Sequence, residues 1–345
     1  MTNPVRSRRH PAPGWLTPRR GGQIALGLLL SALLLWLTLR RIDLGQVGEA
    51  LRAARWGFLI PAVLTYFIDL GIRSWRWSVL LRPVKPLTWR DLYSVVTIGY
   101  MGNMLLPARL GELVRVAVLH RRGVAASAAL GSIATERVLD GLTTVAILLV
   151  TSQFLPRPNW LAAGLTTVTV LFVGALIVLG LLLAFRPAVI ARLAPVAARF
   201  PWTRRPIGWM DQFLDGLGAL RNPRLVASAI AIGLLAWTFS MLEYYWVFRA
   251  FALPLDIAAT FFAVAAMGLS TAVPSAPGYV GTFEFAGVAV LGALGVAPAP
   301  AFSAVVLLHL LQIVPVTVAG LFCAWREGLS PRRPLSRITS IGPTR

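Results

Sequence analysis

The sequence predicts an all-α polytopic membrane protein with about six spanning helices and two broken, re-entrant helical hairpins. Of its 345 residues, 57% are hydrophobic and only 13% are charged, whereas a soluble domain carries about 25% charged residues. Several segments reach the roughly 20 apolar residues that a spanning helix needs. Two further apolar segments are interrupted by proline, glycine and charged residues, and these are the predicted hairpins.

The predicted segments follow one another with short gaps. Spanning helices are predicted at 22–39, 56–81, 137–155 (with a start as early as Ala125), 160–185, 226–248 and 301–325, and the broken hairpins at 92–119 and 257–296. Together they form one membrane domain, 22–325, with halves at about 56–185 and 225–325, a basic connection at 186–224, and basic tails at 1–21 and 326–345.

The charge pattern predicts the orientation. The net charge is +20, and Lys85 is the only lysine among 33 basic residues. Because basic loops stay in the cytoplasm, we place both tails and the connection inside a bacterial plasma membrane, although four arginines between Arg40 and Arg55 then lie outside. The arginines lie between apolar segments, which excludes nucleic acid as the partner and leaves contact with anionic lipid as a second reading. Within the connection, Ile207–Leu220 has apolar residues at helical spacing and is predicted to lie on the membrane surface.

Residue types and motifs exclude several classes of chemistry. A single cysteine, Cys323, excludes an intramolecular disulfide, and three scattered histidines fit no zinc spacing. His309 is interpreted as a satisfied core residue. The sequence contains no phosphate loop, dinucleotide fingerprint or nucleophile elbow. We therefore expect no cofactor, no metal and no enzymatic activity, and transport that is passive or ion-coupled.

The first broken segment contains ionisable residues that hydrocarbon would not solvate. Asn103, Pro107, Arg109, Glu112 and Arg115 lie within it. On a helix, Glu112 would share one face with both arginines, and the three would carry one net positive charge. Arginine suits phosphate, so we expect these residues to line an interior that binds an anionic headgroup. The alternative is an amphipathic surface helix with snorkelling arginines.

Two further clusters lie in predicted spanning helices. Glu136 and Asp140 are four residues apart, and Arg137 can pair with Asp140; the acids could relay a proton or cation, or mark an ordinary helix start. Asp69 and Arg73 form an i,i+4 pair within an apolar run. Arg76 is interpreted as an interfacial anchor.

The second broken segment, PSAPGYVGTFE, is rich in turn residues. Pro277, Gly278 and Gly281 set a sharp turn, and Glu284 follows. Backbone amides at the next helix start could bind an anion; the alternative is a simple hairpin loop.

The two broken segments resemble each other. Pro107 and Gly111 precede Pro277 and Gly281 by 170 residues each, and a glutamate follows each glycine. Paired broken segments in two inverted halves are typical of a transporter's central site. We therefore predict an inverted repeat.

Four motifs resemble the membrane region of lysylphosphatidylglycerol synthases and the stand-alone flippase-like domain proteins. RSWRWSVLL, GYMGNMLLPARLGELVRV, ERVLDG and PSAPGYVGTFE occur in the order and spacing of that family, over about residues 20–325. The resemblance implies movement of lipid headgroups across the bacterial plasma membrane. We also expect a stand-alone domain, because the roughly 20 residues after the last predicted helix are too few for the aminoacyltransferase domain.

The expected function is thus translocation of an anionic or polyprenyl-phosphate-linked lipid. A second hypothesis is a membrane subunit that docks or regulates a separate glycosyltransferase or lipid-modifying enzyme, and a third is a transferase with Glu136 or Asp140 as base. The substrate-binding residues expected are Asp69, Arg73, Asn103, Pro107, Arg109, Glu112, Arg115, Glu136, Arg137, Asp140, Pro277, Gly278, Gly281 and Glu284.

Overall fold

Helices account for most of the residues that the structure describes. The computed structural model describes residues 18–155, 159–271 and 275–329, and these ranges contain no strand. The helices are α1 Pro18–Leu39, α2 Leu44–Ala53, α3 Leu59–Leu81, α4 Trp89–Leu105, α5 Gly111–Arg121, α6 Ala126–Thr151, α7 Asn159–Ala184, α8 Arg186–Arg199, α9 Arg204–Gly216, α10 Pro223–Ala250, α11 Ile257–Ser270, α12 Thr282–Ala293 and α13 Pro298–Arg326. Most of both predicted basic tails lies outside the described residues.

Four helical segments have the length and composition to cross a membrane: Trp56–Leu81, Thr166–Ala184, Pro223–Ala250 and Pro298–Arg326. The all-α membrane fold is therefore confirmed. Helix α6 has 26 residues, about 39 Å at 1.5 Å per residue, but Glu136, Arg137 and Asp140 make it less apolar. The count of six crossings, which also needs α1 and α6, stays a prediction.

The two halves repeat one order of elements. In the first half, α3 is followed by α4, a 3-10 turn at Pro107–Arg109, α5 and α6. In the second half, α10 is followed by α11, a 3-10 turn at Pro277–Tyr279, α12 and α13. The two turns also share an unusual backbone, since Arg109 (φ 55°) and Tyr279 (φ 61°) both lie in the left-handed region.

The equivalent helices α3 and α10 pack against each other in opposite directions. Ser240 hydrogen-bonds Asp69 at 3.1 Å, whereas Gly233, earlier on α10, lies against Arg76, later on α3. At the other end, the amide of Arg55 donates to the carbonyl of Ala250 at 2.9 Å. Equivalent helices that run antiparallel are what an inverted repeat requires. Each broken hairpin also packs against the other half, since α4 contacts α13 and α11 contacts α6.

Glycines allow the first broken hairpin to close tightly. A Cβ on Gly111 would lie 2.0 Å from the carbonyl oxygen of Gly99, and one on Gly102 would lie 2.8 Å from the Cα of Gly111. The backbones of α4 and α5 therefore touch. Helix α4 begins at Trp89, three residues before the predicted start, because Thr88 and Asp91 form a capping box in which the Thr88 amide donates to Asp91 at 2.9 Å.

The structure contains one helix that was not predicted, and one predicted helix needs correction. The segment between Arg40 and Arg55 contains a helix, α2, whose N-cap Asp43 accepts from the amide of Gly45 at 2.8 Å. The predicted surface helix Ile207–Leu220 ends at Gly216, and it packs on α6 where Gly216 meets Gly131. One side of this helix therefore packs inside the protein, so the helix does not lie wholly on the membrane surface.

We expect Gly111→Ala to destabilise the protein because the methyl group collides with fixed backbone. Overpacking of this kind costs about 1–3 kcal/mol, so the melting temperature in detergent should fall by several degrees. Gly174→Ala is the matched control, since nothing lies within 4 Å of a Cβ at Gly174. An unchanged melting temperature for Gly111→Ala would contradict the close contact of α4 and α5.

Candidate functional site: a charged cavity between the two halves

A cavity of about 430 Å³ lies where the two halves meet. Residues of α3, α4, α5, α6, α7, α10, α11 and α13 line it, and each broken turn contributes one side chain, Arg109 from the first and Tyr279 from the second. Its charged lining residues are Asp69, Arg73, Arg109, Glu112, Arg115, Arg137, Asp140 and Glu243. Both broken segments thus border an interior that contains charged side chains. The proline, glycine and charged residues within these apolar segments predict such an interior.

Most of these charges are held in one network around α6. Arg115 donates to Glu136 at 2.8 Å, and Arg76 donates to Asp140 at 2.5 Å. Arg137 bonds to Glu136 and lies 3.4 Å from Asp140 and 3.8 Å from Glu112. The predicted pairing of Arg137 with Asp140 is therefore present. Glu136 and Asp140 share Arg76 and Arg137 as partners, and Arg115 pairs with Glu136.

Arg115 differs from the prediction for the first broken segment. Its side chain turns away from Glu112, is 3% exposed and stacks over the ring of Trp77 with a 4.0 Å separation from the centroid. Arg109 also departs from the prediction, because it belongs to a separate 3-10 turn and does not continue α5. The three residues do not share one helix face, and Arg115 serves the buried network.

Arg109 is the most accessible arginine at the cavity. Its side chain is 34% exposed, and its contact with Glu112 is long, 3.8 Å between Nε and Oε1. Asn103, one turn earlier on α4, also lines the cavity, and its side-chain oxygen is buried without a hydrogen-bond partner. Pro107 begins the turn that presents Arg109. This part of the wall has donors and acceptors that the protein leaves unoccupied.

A second ion pair joins the two halves. Asp69 accepts from Arg73 at 2.8 Å, which confirms the predicted i,i+4 pair. Ser240 of α10 bridges the pair, because it accepts from Arg73 at 3.0 Å and donates to Asp69 at 3.1 Å. Both ions line the cavity.

The interpretation of Arg76 as an interfacial anchor is wrong. The residue is 1% exposed and lies between Asp140, at 2.5 Å, and Glu136, at 3.6 Å. The RSWRW motif resembles an anchor because tryptophan and arginine alternate, but Trp77 and Arg76 both point inward. Composition alone could not distinguish these two orientations.

The second broken turn is closed by its own residues. Glu284 accepts from the amide of Gly281 at 2.6 Å and contacts Nδ1 of His309 at 2.5 Å. The other ring nitrogen of His309 lies 2.6 Å from the carbonyl oxygen of Gly278. The helix start thus already holds a carboxylate where an anion was expected. His309 is buried with both nitrogens bonded, which confirms its interpretation as a satisfied core residue.

Helix α1 packs against this second turn. Ser31 accepts from the amide of Ala276 at 2.9 Å, and a Cβ on Gly281 would lie 2.2 Å from the carbonyl oxygen of Ser31. Gly281 also has φ 87°, which glycine adopts without strain. Pro277, Gly278, Gly281 and Glu284 therefore shape the turn, and Tyr279 is its residue at the cavity.

The same acid–base clamp occurs in both halves. Glu112 contacts Arg137 in the first half and Glu284 contacts His309 in the second, and the partners are 25 residues apart in each case. Each glutamate lies in the first turn of the helix after a broken turn, and each base lies on the next helix, α6 or α13. The clamp supports the predicted repeat and extends it to a pair that sequence comparison missed.

Five arginines and five carboxylates meet at and directly behind the cavity wall. They are Arg73, Arg76, Arg109, Arg115, Arg137, Asp69, Glu112, Glu136, Asp140 and Glu243. Sequence analysis missed Arg76 and Glu243 as site residues. The available signal for Glu243 was a carboxylate within the apolar run of α10.

The comparisons with known proteins agree with this architecture. The sequence profile of the family described as "Lysylphosphatidylglycerol synthase TM region" matches residues 24–320. Glycosyltransferase AglD of Haloferax volcanii is 28% identical over 86% of this chain, which spans only 53% of that relative's length. A UPF0104 membrane protein of Methanothermobacter thermautotrophicus is 24% identical over 80% of this chain and 87% of its own length.

Arg76→Ala should strongly destabilise the fold because it leaves two buried carboxylates short of a partner. Breaking a buried pair costs about 3–5 kcal/mol, whereas a surface substitution stays within about 0.5 kcal/mol. Unfolding in mixed micelles with rising SDS would measure the difference against Arg82→Ala, which changes an exposed arginine just after α3. Equal stability of the two variants would restore the anchor interpretation.

Proposed function

We propose that this chain, which belongs to the lysylphosphatidylglycerol synthase TM-region family, is a lipid translocator without enzymatic activity. The cavity binds an anionic, phosphate-bearing headgroup while the acyl chains remain in the surrounding lipid. We place the protein in a bacterial plasma membrane, with several crossings and both termini in the cytoplasm. The observation that carries the proposal is the charged cavity between two halves whose facing helices α3 and α10 run antiparallel, in a bundle with four helical segments apolar enough to span a membrane.

The physical argument begins with solvation. A charged side chain at the bilayer centre costs at least about 2.5–3.5 kcal/mol, and non-helical backbone at that depth needs protein or water around it. Both turns, Leu106–Gly111 and Ala276–Gly281, contribute a residue to the cavity wall, so the interior provides that environment. A cavity of about 430 Å³ falls within the roughly 300–1,000 Å³ of small-ligand sites.

Arg109 is the residue best placed to receive a phosphate. Its guanidinium group is accessible, and its contact with Glu112 is too long for a strong hydrogen bond. A phosphate oxygen could replace Glu112 with a charge-assisted, forked contact. The nearby Asn103 amide and Tyr279 hydroxyl supply further polar contacts from both halves. Arg76 and Arg115 are already bound to buried carboxylates and act as structural support.

The same network argues against the third hypothesis. A general base must accept a proton from a substrate, but Glu136 is bonded to Arg115 and Arg137 and is 2% exposed. Asp140 is bonded to Arg76. Guanidinium partners stabilise the ionised carboxylates, which makes both acids poor bases.

A second candidate function rests on one comparison. The relative named Glycosyltransferase AglD has about twice the length that this chain covers. A membrane domain of this kind could therefore support a separate glycosyltransferase or lipid-modifying enzyme. Lipid flipping by the pure protein would favour translocation. Activity that appears only with a co-purified enzyme would favour the accessory role.

Arg109→Ala should slow lipid flipping by about tenfold or more. A hydrogen bond to a charged group contributes about 1.5–3 kcal/mol, and 1.4 kcal/mol corresponds to a factor of ten. The assay uses phosphatidylcholine liposomes with acyl-labelled fluorescent phosphatidylglycerol and dithionite quenching of the outer leaflet. Arg82→Ala, outside the cavity, should flip at the wild-type rate. Wild-type rates for both Arg109→Ala and Glu112→Ala would remove the site assignment.

A further inference from the structure

One carboxylate at the cavity has no cationic partner within the described part of the chain. Glu243 on α10 is 2% exposed and lines the cavity. The other acids there, Asp69, Glu112 and Asp140, each have an arginine within 4.0 Å, but among the described residues Glu243 has none. Its Oε1 atom is buried without a hydrogen-bond partner.

The surroundings of Glu243 offer dipoles and no positive charge in contact. Gln312 of α13 lines the same cavity and places its side-chain amide near Glu243. From α3, Tyr66, Asp69 and Arg73 face the same region, and Arg73 is committed to Asp69 and Ser240.

The other neighbouring elements add few titratable groups. On α10 itself, Tyr244 directly follows Glu243 and also lines the cavity. Tyr100 comes from α4, and Asp140 of α6 is bonded to Arg76. Helix α11 and the turn Trp56–Phe58 contain no titratable residue, His309 of α13 is engaged by Glu284, and Arg221 lies near the opposite end of α10.

We propose that Glu243 carries the proton that is bound together with the headgroup, so that translocation is coupled to protons. This inference rests on the proposed function and identifies its coupling site. An isolated ionised carboxylate in a buried site is costly and tends to be neutralised. A headgroup that fills the cavity displaces water from Glu243 and so favours its protonated form, and among the described residues no other carboxylate of the wall is free of a guanidinium partner.

The charge balance links the proton to the headgroup. With Glu243 protonated, five arginines face four ionised carboxylates, and the site carries one positive charge that a phosphodiester neutralises. When the cavity opens to water and Glu243 releases its proton, the site becomes neutral and holds the phosphate less strongly. Such coupling is reciprocal, so headgroup binding also favours protonation.

The first experiment measures flipping of fluorescent phosphatidylglycerol in phosphatidylcholine liposomes between pH 6 and pH 8. The wild-type rate should fall as pH rises, by up to about tenfold per pH unit for one linked proton. Glu243→Gln keeps the shape but fixes the neutral form, so its rate should be independent of pH. Glu49→Gln, on the exposed face of α2, is the matched control and should keep the wild-type profile.

The second experiment reads the proton directly and needs no transport. Short-chain phosphatidylglycerol is added to detergent-solubilised protein in weakly buffered solution with an indicator dye. We expect the wild type and Glu49→Gln to take up as much as one proton per protein, and Glu243→Gln to take up none.

The outcomes separate the two proposals. Flipping with the same pH profile in the wild type and Glu243→Gln overturns the proton inference and leaves translocation standing. Proton uptake that depends on Glu243, without flipping, keeps the coupling site and removes translocation. Absence of both flipping and uptake in the wild type overturns both.

Discussion

The solvation of charge in an apolar bundle is the constraint on which this structure depends. Five arginines and five carboxylates lie at the meeting point of two halves whose outer helices are almost wholly apolar. Lipid cannot supply the hydrogen bonds that these groups need. The halves therefore fold around their own ions, and several pairs connect distant parts of the chain: Arg76 of α3 bonds Asp140 of α6, and Arg73 bonds Ser240 of α10.

The broken turns follow from the same constraint. Each follows a helix of 17 or 14 residues, which is shorter than the roughly 20 residues that a span needs. Each also places a left-handed residue beside the cavity, Arg109 in one half and Tyr279 in the other. Left-handed backbone at a non-glycine residue costs on the order of 1–3 kcal/mol and persists only where the surroundings fix it. Here glycine contacts fix the first turn and α1 fixes the second. Strained backbone at equivalent positions in both halves indicates that the fold retains it because it places these two side chains at the cavity.

The sequence predicts much of this arrangement, because apolar runs, prolines and glycines act locally. The helical class, the two broken segments, the Asp69–Arg73 pair and the 170-residue offset of the turns all follow from spacing. Side-chain direction does not. Arg76 and Arg115 point into the network, away from the positions that their local patterns favour. Glu243 stands alone in an apolar run, and only the packing of α3 and α13 against α10 shows that it borders a cavity and lacks a cation.

The two halves have the same order of elements, but their acid–base clamps differ in length and exposure. In the second half, the Glu284–His309 clamp is short, 2.5 Å, with side chains 7% and 5% exposed. In the first half, the Glu112–Arg137 clamp is 3.8 Å, with side chains 23% and 28% exposed. A dry, short contact resists exchange of partners, whereas a long and accessible one is easily replaced by a ligand's oxygen. The second turn is thus suited to act as a fixed support. The first turn, with Arg109 beside its loose clamp, is the side of the cavity where we propose that an anionic headgroup binds, because the headgroup would displace protein contacts there without uncovering a buried charge.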